Sequence, residues 1–488
     1  MAEQIKILFL SSEVVPFAKT GGLADVSGTL PVVLKGLGAD IRLALPYYRI
    51  IREGGFKTDL LFNRLEVPFG REKLSANVFV TETEESIPVY LIEREDLYDR
   101  PNLYGNSMGD YYDNIERFTF FDHAALKIAE ALGFRPDVIH CHDWQTGMVP
   151  ALIKGPYSES SVLSGTSVLF TFHNLGHQGI FPVDKLYITG LSADKFFHME
   201  GLEYWGNISL LKAGIVYSDA VTTVSPTYAL EVQTGSYGMG MEGLLYKKRS
   251  ILHGILNGVD YRLWDPATDM HLSANYSLSD MTGKGQCKDF LIQEMGILPS
   301  LRERPLIGII SRLEAQKGFD LLEEIIEDVI ALNVGVVALG TGEVTVQKAF
   351  ENAVKRYPGR ISFHTGFNEP LAHRIMAGAD IFLVPSRYEP CGLTQMYALK
   401  YGTVPIVRAT GGLNDSIDRF EPRTGKGNGF KFIPYNSSAF FQVLCEAEEI
   451  FSDKKAWEKL MENGMKADFS WGQSARRYLE IYRSVMDV

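Results

Sequence analysis

The sequence predicts an α/β fold made of two doubly wound lobes, each with a parallel sheet covered by helices on both faces. Three observations support this. Short apolar runs rich in β-prone residues alternate with longer amphipathic segments along the chain. The alternation occurs in two blocks, each opening with an apolar strand, at residues 5–10 and 306–310. A chain of 488 residues also exceeds the roughly 250–300 at which a single core stops growing.

The individual strands are predicted from apolar runs that end in Gly, Ser, Asn, Pro or Asp, the residues that stop regular structure. In chain order these runs are IKILFLSS, DVIHCH, SVLFTFHN, AVTTVS, LIGIISRL, VGVVALG, DIFLVPS and TVPIVRA. Amphipathic segments between them predict the covering helices, as expected when parallel strands are joined by crossover connections.

The domain boundary is expected at GILNGVDY, where glycines and an Asn-Gly pair interrupt the pattern. Residues 1–253 then form an N-terminal Rossmann-like lobe and residues 254–469 a C-terminal Rossmann-like lobe. Residues 470–488 form a final helix that is expected to pack back on the first lobe. Its apolar face has spacings of four and three, with Trp471, Ala475, Tyr478, Tyr482 and Val485.

The overall composition excludes several classes of protein. A net charge of −12 argues against nucleic acid or an acidic membrane as a partner. No run approaches the roughly 20 apolar residues of a membrane span, and the N-terminal run is too short for a signal peptide. The cysteines form no Cys-x-x-Cys pair, which predicts a reducing, cytoplasmic location; they are Cys141, Cys287, Cys391 and Cys445.

One short pattern occurs twice, as TGGLADV at residues 20–26 and TGGLNDS at residues 410–416. Each copy follows a predicted strand and opens a helix, which is where open α/β sheets bind ligands. Adjacent glycines allow a close approach of the backbone, and free N–H groups at a helix start favour an anion. Two ordinary strand-to-helix turns are the alternative. We interpret the repeat as two lobes that face one cleft.

Three positive charges accompany these loops. Lys19 precedes the first glycine pair, and Arg312 and Lys317 follow the strand at residues 306–310. Such side chains could clamp a diphosphate, with Arg binding in bidentate fashion. Solvated surface charge is the better interpretation for any one of them alone. The three together favour a phosphate site.

Two further strand ends carry polar residues. HCHDWQTG places His140 and His142 on one strand face; a metal site is conceivable, but two histidines with no assigned third ligand are weak evidence for it. Asp143 and Trp144 suit a sugar better, since a carboxylate accepts from hydroxyls and an indole offers a flat apolar face. His173 ends the next strand and is either a core histidine or part of the cleft.

The segment SRYEPCGLTQ follows another strand and precedes a helix. Glu389 would lie at the positive end of that helix, where ionised carboxylates are favoured, or would simply cap it. Cys391 has no evident base beside it and is interpreted as a packed thiol. The GTGE at residues 340–343 is too short for a dinucleotide fingerprint.

These motifs together resemble the bacterial glycogen synthase and plant starch synthase family over nearly the whole chain. The resemblance rests on KTGGLADV, HCHDWQTG, TFHNLGHQG, SPTYALEVQT, GILNGVD, SRLEAQKGFDLL, GTGE, the long segment from SRYEPCGLTQ to ATGGLND, and FSW. It implies a GT-B fold with an interdomain active-site cleft. It also implies transfer of glucose from ADP-glucose to the non-reducing end of an α-1,4-glucan with retention, without a cofactor or a metal.

The resemblance also implies roles for particular residues. The catalytic set would be Glu389, His173, Arg312 and Lys317. The donor-binding set would be Lys19, Gly21, Gly22, Asp25, Asn257, Gly340, Gly342, Phe367, Cys391, Gly392, Leu393, Thr394, Gly411 and Gly412. The acceptor side would be lined by Asp143 and Trp144. Both glycine loops would then contact one sugar nucleotide.

Three positions depart from the pattern of the family. Phe367 stands where many bacterial members have Tyr, which keeps a ring for adenine but loses a hydroxyl. His177 replaces an expected Tyr, and Tyr397 replaces the second Glu of a wider glycosyltransferase pattern. Competing interpretations are a pyridoxal-phosphate glucan phosphorylase, a nicotinamide dehydrogenase and a non-catalytic glucan-binding scaffold. The first two lack their cofactor signatures, and the third has no need of the three clustered cations.

Overall fold

The computed structural model describes residues 4–106 and 108–486, which divide into two compact units. The first comprises the described residues up to Val224, then Ala229–Ile255 and the described residues from Trp471 onward. The second comprises Ser225–Tyr228 and Leu256–Ser470. The expected boundary thus shifts by two residues, and a short upstream segment joins the second unit. The reason is that the backbone N–H and hydroxyl of Thr227 donate to the Asp415 carboxylate, at 2.9 and 2.5 Å.

The strands of the first unit form one large sheet and two small ones. They are β1 (Lys6–Leu10), β2 (Asp40–Pro46), β3 (Asp59–Phe69), β4 (Glu72–Glu82), β5 (Pro88–Glu93), β6 (Gly105–Asn106), β7 (Gly109–Asp110), β8 (Val138–His142), β9 (Ser167–Phe172), β10 (Ile180–Pro182), β11 (Glu203–Tyr204), β12 (Asn207–Ser209), β13 (Ala220–Thr223) and β14 (Leu252–Gly254). The large sheet has the order β14-β13-β9-β8-β1-β2-β5-β4-β3. It is parallel from β14 to β5 and antiparallel from β5 to β3.

The second unit contains one sheet of six strands, and all of its pairings are parallel. Its order is β17-β16-β15-β18-β19-β20. These strands are β15 (Leu306–Leu313), β16 (Gly335–Gly342), β17 (Ile361–Thr365), β18 (Ile381–Val384), β19 (Val404–Arg408) and β20 (Phe430–Phe432). All eight strands predicted from apolar runs are present in the two large sheets, which confirms the α/β class.

Helices occupy most of the connections. They are α1 (Gly22–Gly36), α2 (Arg49–Glu53), α3 (Glu95–Tyr98), α4 (Asn114–Leu132), α5 (Val149–Lys154), α6 (Ala193–Phe196), α7 (Leu210–Tyr217), α8 (Pro226–Glu231), α9 (Glu242–Lys247), α10 (Thr282–Glu294), α11 (Phe319–Ala331), α12 (Val344–Arg356), α13 (Glu369–Gly378), α14 (Thr394–Lys400), α15 (Gly411–Ser416), α16 (Ser437–Ser452), α17 (Lys454–Lys466) and α18 (Trp471–Met486). In the described part of the chain, no helix is long and apolar enough to cross a membrane.

The sheet of the second unit is buried on both faces. On one face, side chains of β15, β16, β18 and β19 pack against α11 and α16. On the other, side chains of β15 and β16 pack against α10 and α13. A parallel strand covered on two sides must be apolar throughout, so these strands appear in the sequence as continuous apolar runs.

The C-terminal helix α18 completes the core of the first unit. Its five residues predicted to share an apolar face are all buried. The hydroxyl of Tyr482 lies 2.7 Å from Nδ1 of His140, which is fully buried in β8. Ser167, at the start of β9, donates from its hydroxyl to the carbonyl of Val485 at 2.8 Å. The last helix therefore contacts strands near the middle of the large sheet. The predicted cleft between two lobes remains a prediction.

Candidate active site

The first glycine segment is held by a buried carboxylate. Glu13 accepts from the backbone N–H of Thr20 at 2.5 Å and of Gly21 at 3.1 Å. It also accepts from the hydroxyls of Thr20 at 2.6 Å and Tyr104 at 2.7 Å. The N–H group of Gly21, the residue just before α1, is therefore already hydrogen-bonded within the protein. Sequence reasoning missed Glu13, although its position in the same loop after β1 was a usable signal.

The two glycines of this segment border open space. A Cβ built on Gly21 or Gly22 would meet no atom within 4 Å. Gly21 is extended, with φ −151°, and Gly22 is the first residue of α1, so neither conformation requires glycine. Nearby, Nζ of Lys19 and Oδ1 of Asp25 form an ion pair at 2.7 Å. The missing side chains leave room for a molecule to approach the backbone closely.

Asp143 follows β8 in a left-handed conformation, with φ +57°. Its Oδ1 accepts from the backbone N–H of His173 at 2.6 Å, which links the loops after β8 and β9. Burial raises the pKa of Asp143 to about 7, although hydrogen bonds from the backbone of His173 and Asn174 act in the opposite direction. At neutral pH the Asp143 carboxyl group is therefore protonated in a large fraction of the molecules. A strained backbone at such a position is typical of functional sites.

Three histidines lie together at the ends of β8 and β9. Nδ1 of His142 lies 3.0 Å from Nε2 of His173, and the rings of His140 and His142 are 4.0 Å apart. Burial lowers the pKa of His173 to about 3, so it is neutral at pH 7. One of the two facing nitrogens must carry the proton, so the hydrogen bond couples the tautomers of His142 and His173.

The structure also bears on the metal interpretation of this cluster. The two ring nitrogens of His140 lie 2.7 Å from the hydroxyls of Tyr482 and Thr171. Within residues 4–106 and 108–486, no group of three or more His, Cys, Asp or Glu side chains is placed to hold a metal ion.

Trp144, predicted to offer a flat apolar face to a sugar, is largely covered by other side chains. The side chain is only 8% exposed. Its ring packs edge-on against Phe118 of α4, with centroids 5.0 Å apart, and against Phe181 of β10 at 5.7 Å. Gly179 lies so close that a Cβ there would be 2.6 Å from the indole. Trp144 therefore positions the loop that carries Asp143.

In the second unit, the cations predicted for the diphosphate differ from each other. Arg312 is 54% exposed, and its Nη1 lies 2.9 Å from Oε1 of Glu314. Lys317 is largely buried, and its Nζ lies 2.7 Å from Oε2 of Glu389. Glu389 also accepts from the hydroxyl of Ser386 at 3.0 Å. The predicted helix-end position of Glu389 is wrong, since α14 begins five residues later and the compensating charge comes from Lys317.

The second glycine segment packs against the loop that contains Glu389. Gly411 has φ +44°, and a Cβ there would lie 2.0 Å from the carbonyl oxygen of Glu389. A Cβ on Gly412 would lie 2.2 Å from the carbonyl oxygen of Cys391. The N–H of Gly412 donates to the carbonyls of Glu389 and Pro390, at 3.2 and 3.1 Å. As in the first segment, an N–H group predicted to be available to an anion is used within the protein.

Cys391 and Asn257 lie side by side in the interior of the second unit. Burial raises the pKa of the Cys391 thiol to about 12, and the backbone N–H of Asn257 lowers it by a smaller amount. The thiol is therefore protonated at neutral pH and is not a nucleophile. Oδ1 of Asn257 is buried without a hydrogen-bond partner among the described residues, which is costly unless a ligand supplies a donor.

The remaining predicted donor residues are of two kinds. Gly340 and Gly342 leave no room for a side chain. A Cβ on Gly340 would lie 2.2 Å from the Ser311 carbonyl oxygen, and a Cβ on Gly342 would lie 2.4 Å from the Leu313 carbonyl oxygen. Phe367 is 85% exposed, so its ring is open to a ligand. The others surround the start of α14: Gly392 in a left-handed conformation with φ +70°, then Leu393 and Thr394.

Tyr397 has a role that the sequence did not suggest. Its ring stacks on Trp264 with centroids 4.2 Å apart, and His373 stacks on the opposite indole face at 3.8 Å. The tyrosine is buried. A glutamate at this position would lose the stacking and place a charge beside an apolar ring, which explains the departure from the wider glycosyltransferase pattern.

Comparison with known proteins assigns both units. The starch synthase catalytic domain family matches residues 6–247, and the glycosyl transferases group 1 family matches residues 293–466. With the two parallel sheets and the polar residues at their strand ends, these matches define a glycosyltransferase of the GT-B class.

Individual relatives identify the family within this class. The glycogen synthase of Geotalea uraniireducens is 45% identical over 98% of both chains, and that of Koribacter versatilis is 42% identical over 99% of this chain and 98% of its own. The chain belongs to the glycogen synthase family.

Solved structures agree with this assignment. The catalytic domain of starch synthase IV from Arabidopsis thaliana, bound to ADP and acarbose, matches with a TM-score of 0.91 and 33% identity over 100% of both chains. A sucrose-phosphate synthase from Thermosynechococcus elongatus matches with a TM-score of 0.61 and 18% identity, over 99% of this chain and 100% of its own, and shows the fold alone.

Proposed function

We propose that this protein transfers glucose from ADP-glucose to the non-reducing end of an α-1,4-glucan, with retention of configuration. The observation that carries the proposal is the Lys317–Glu389 ion pair beyond the carboxyl ends of β15 and β18, with the exposed Arg312 near the end of β15. Two cations and one carboxylate are the charges that departure of a diphosphate from a sugar requires. The starch synthase IV structure, solved with ADP and acarbose, supports the same donor and acceptor classes.

The donor would be held mainly by the second unit. Arg312 is exposed and can turn from Glu314 to a phosphate oxygen, because an exposed ion pair is weak. Lys317 would share its ammonium between Glu389 and the diphosphate. The exposed ring of Phe367 offers a stacking surface for adenine. The unpartnered Oδ1 of Asn257 can accept a hydrogen bond from a substrate.

Departure of ADP needs electrostatic stabilisation more than a general acid. Negative charge grows on the diphosphate as the sugar becomes cation-like, and the two cations meet that charge. Glu389 would stabilise the developing positive charge on the sugar. Retention would follow from displacement on the same face, with the departing phosphate accepting the proton of the attacking hydroxyl. Since ADP is a good leaving group, the second carboxylate of a glycosidase is not needed.

The first unit would supply the acceptor side and part of the sugar site. The neutral imidazole of His173 can exchange a hydrogen bond with a glucose hydroxyl, and Asp143 can accept one. The open space beside Gly21 and Gly22 would admit the donor to the backbone near Lys19 and Asp25. A reducing, cytoplasmic location is part of the proposal, consistent with free thiols at all four cysteines.

A transfer assay tests this function directly. Purified protein is incubated with glycogen and with radiolabelled ADP-glucose or UDP-glucose, and label in precipitated glucan is counted. We expect kcat/KM to be higher with ADP-glucose by about tenfold or more, since a purine gives a larger stacking face. Activity should survive EDTA. Equal use of the two donors, or activity that EDTA abolishes and magnesium restores, would contradict this account, and no transfer at all would favour a binding scaffold.

A further inference from the structure

A tryptophan stands exposed at the tip of a hairpin in the first unit. Trp205 and Gly206 form the two-residue turn between β11 and β12. The Trp205 side chain is 83% exposed, and its backbone is left-handed with φ +51°. Such turns favour Asn-Gly, and a bulky residue at positive φ is strained. An indole held in water by a strained backbone gives nothing to folding, which points to a ligand.

The turn around this indole is rigid and polar. Oε1 of Glu203 accepts from the N–H of Gly206 at 2.8 Å, and the side-chain amide of Asn207 donates to the Trp205 carbonyl at 3.3 Å. The ring of Tyr204 lies edge-on to that of Trp205, with centroids 6.5 Å apart. Amide, hydroxyl and carboxylate groups thus surround one apolar face, a composition suited to a sugar ring with its hydroxyls.

The hairpin belongs to the small sheet β10-β12-β11, and the outer strand β10 of this sheet packs against the predicted acceptor loop that follows β8. β11 pairs with β12 and β12 with β10, so two strand spacings, about 10 Å, separate β11 from β10. On β10, Phe181 packs against Trp144, the neighbour of Asp143 in sequence. Gly179, just before β10, also contacts the Trp144 ring. The turn at Trp205 is therefore joined to the Asp143 loop through the pairing of β11, β12 and β10 and the contact of Phe181 with Trp144.

We propose that Trp205 is a binding platform for the glucan acceptor, several glucose residues away from the end that reacts. The proposal rests on the proposed function and extends its acceptor site. A glucan is uncharged, so the net charge of −12 does not oppose its approach. A protein partner would be expected to need a larger contiguous apolar patch, whereas the residues that flank the indole in the hairpin, Glu203, Tyr204 and Asn207, all carry polar groups. Stacking of successive sugars on the ring would hold long chains and leave short ones unaffected.

The test compares long and short acceptors in the full-length protein. In Trp205→Ala, we expect KM for glycogen to rise about tenfold with kcat unchanged, while kcat/KM for maltotriose stays within about twofold. Trp205→Phe should retain most of the affinity, since it keeps a stacking face. Leu60→Ala is the control for the loss of an exposed apolar side chain in the same unit, because Leu60 is 54% exposed on β3, and this variant should resemble the wild type.

A second readout does not depend on catalysis. In native gels containing glycogen, the wild type and Trp205→Phe should be retarded, and Trp205→Ala should migrate faster. Trp205→Asn should also lose retardation, with an unchanged or raised Tm because asparagine suits the left-handed turn. Equal behaviour of Trp205→Ala and wild type in both readouts would overturn the inference, as would an equal loss in Leu60→Ala or with maltotriose. If the wild type transfers glucose to no acceptor, the proposed function fails, while gel retardation still tests Trp205.

Discussion

The two TGGL segments share five of six residues from Thr to Asp, yet their glycines serve different physical purposes. In the first, Gly21 and Gly22 border open space, and the segment is held by hydrogen bonds to Glu13. In the second, Gly411 and Gly412 lie against backbone carbonyls of the loop that contains Glu389, with no room for a Cβ.

This difference separates two reasons for a glycine pair. The first pair leaves room for something outside the protein, whereas the second permits a close contact inside it. The matching sequences suggested one shared role, contact with a sugar nucleotide. The structure gives the second pair a sufficient structural role of its own, namely to position the Glu389 loop. The comparison can therefore be tested by adding the same methyl group at each place.

Gly411→Ala should have the largest effect on stability. The added Cβ would meet the Glu389 carbonyl and would also force an L-residue into a left-handed conformation. We expect a loss of about 3–5 kcal/mol in the free energy of unfolding, measured by urea denaturation. Gly412→Ala should lose stability only through the clash of its Cβ with the Cys391 carbonyl. A loss below about 1 kcal/mol would show that the loop moves aside easily and that packing does not explain this glycine.

Arg312→Ala and Lys317→Ala separate charge from packing beside the second segment. Each should lower kcat by about 10²–10³, roughly 2–4 kcal/mol, if its contact with the diphosphate strengthens in the transition state. Arg312→Ala should leave Tm unchanged because the side chain is exposed. Lys317→Ala should also lose about 2 kcal/mol of stability, because it leaves the Glu389 carboxylate nearly buried without its cation.

The matched control for this pair is Lys317→Ala combined with Glu389→Gln. The neutral amide removes the unpaired charge, so stability should recover while activity stays low. Unchanged kcat and KM in both single variants would mean that the diphosphate binds elsewhere.

Gly21→Ala should affect activity but not stability, in contrast to Gly411→Ala. The methyl group enters open space, so the free energy of unfolding should change by less than about 0.5 kcal/mol. If a donor uses that space, kcat/KM should fall about tenfold, or about 1.4 kcal/mol. Parallel urea curves and donor-saturation kinetics measure the two effects. Wild-type kinetics in Gly21→Ala would show that no substrate approaches this backbone.

Acidification should lower the stability of the unit that carries the first segment. Burial keeps the pKa of His140 and His142 well below the usual value, and that of His173 at about 3. Below about pH 6.5 these histidines bind protons in the unfolded chain but not in the folded protein. The free energy of unfolding therefore falls as the pH is lowered. Asp143 acts in the opposite sense, since its pKa of about 7 makes its own contribution rise as pH falls from 7 to 4.

Each of the three histidines should lose about 1 kcal/mol between pH 6.5 and 5.5 and Asp143 should regain about 1 kcal/mol, so the net change should be a loss of about 2 kcal/mol. Hydrogen exchange of peptides from the large sheet, corrected for intrinsic rates, measures it. His173→Asn should reduce the loss. The predicted difference between the two segments would be contradicted if the segment around Gly411 lost hydrogen-exchange protection by the same amount and His173→Asn made no difference.

The fold was largely predictable because parallel strands covered on both faces must be continuous apolar runs. Several of the strands that were missed lack this signature, although β2 and β5 are mostly buried parallel strands and were missed in spite of it. β3 and β4 form the antiparallel edge of the first sheet and expose much of their length, and β17 is a partly exposed edge strand. A half-exposed strand mixes polar and apolar residues, so its sequence resembles that of a loop.

The site was predictable in its residue types but not in its contacts. A motif can indicate that Glu389 and Lys317 matter, but their 2.7 Å pairing depends on the geometry of two strands far apart in sequence. The same holds for Trp144, which Phe118 of a distant helix covers. Glu13 was missed because its role lies in hydrogen bonds to backbone N–H groups, which no side-chain pattern records.

The position of α18 has a consequence for synthesis on the ribosome. The strands of the first unit emerge early, but His140 meets Tyr482 only when the last helix has been made. Nearly all of the second unit is translated in between, which takes on the order of 10–40 s at about 5–20 residues per second. During that interval the side chains that α18 will cover face solvent or a chaperone. The part of the chain made first is therefore the last to be completed.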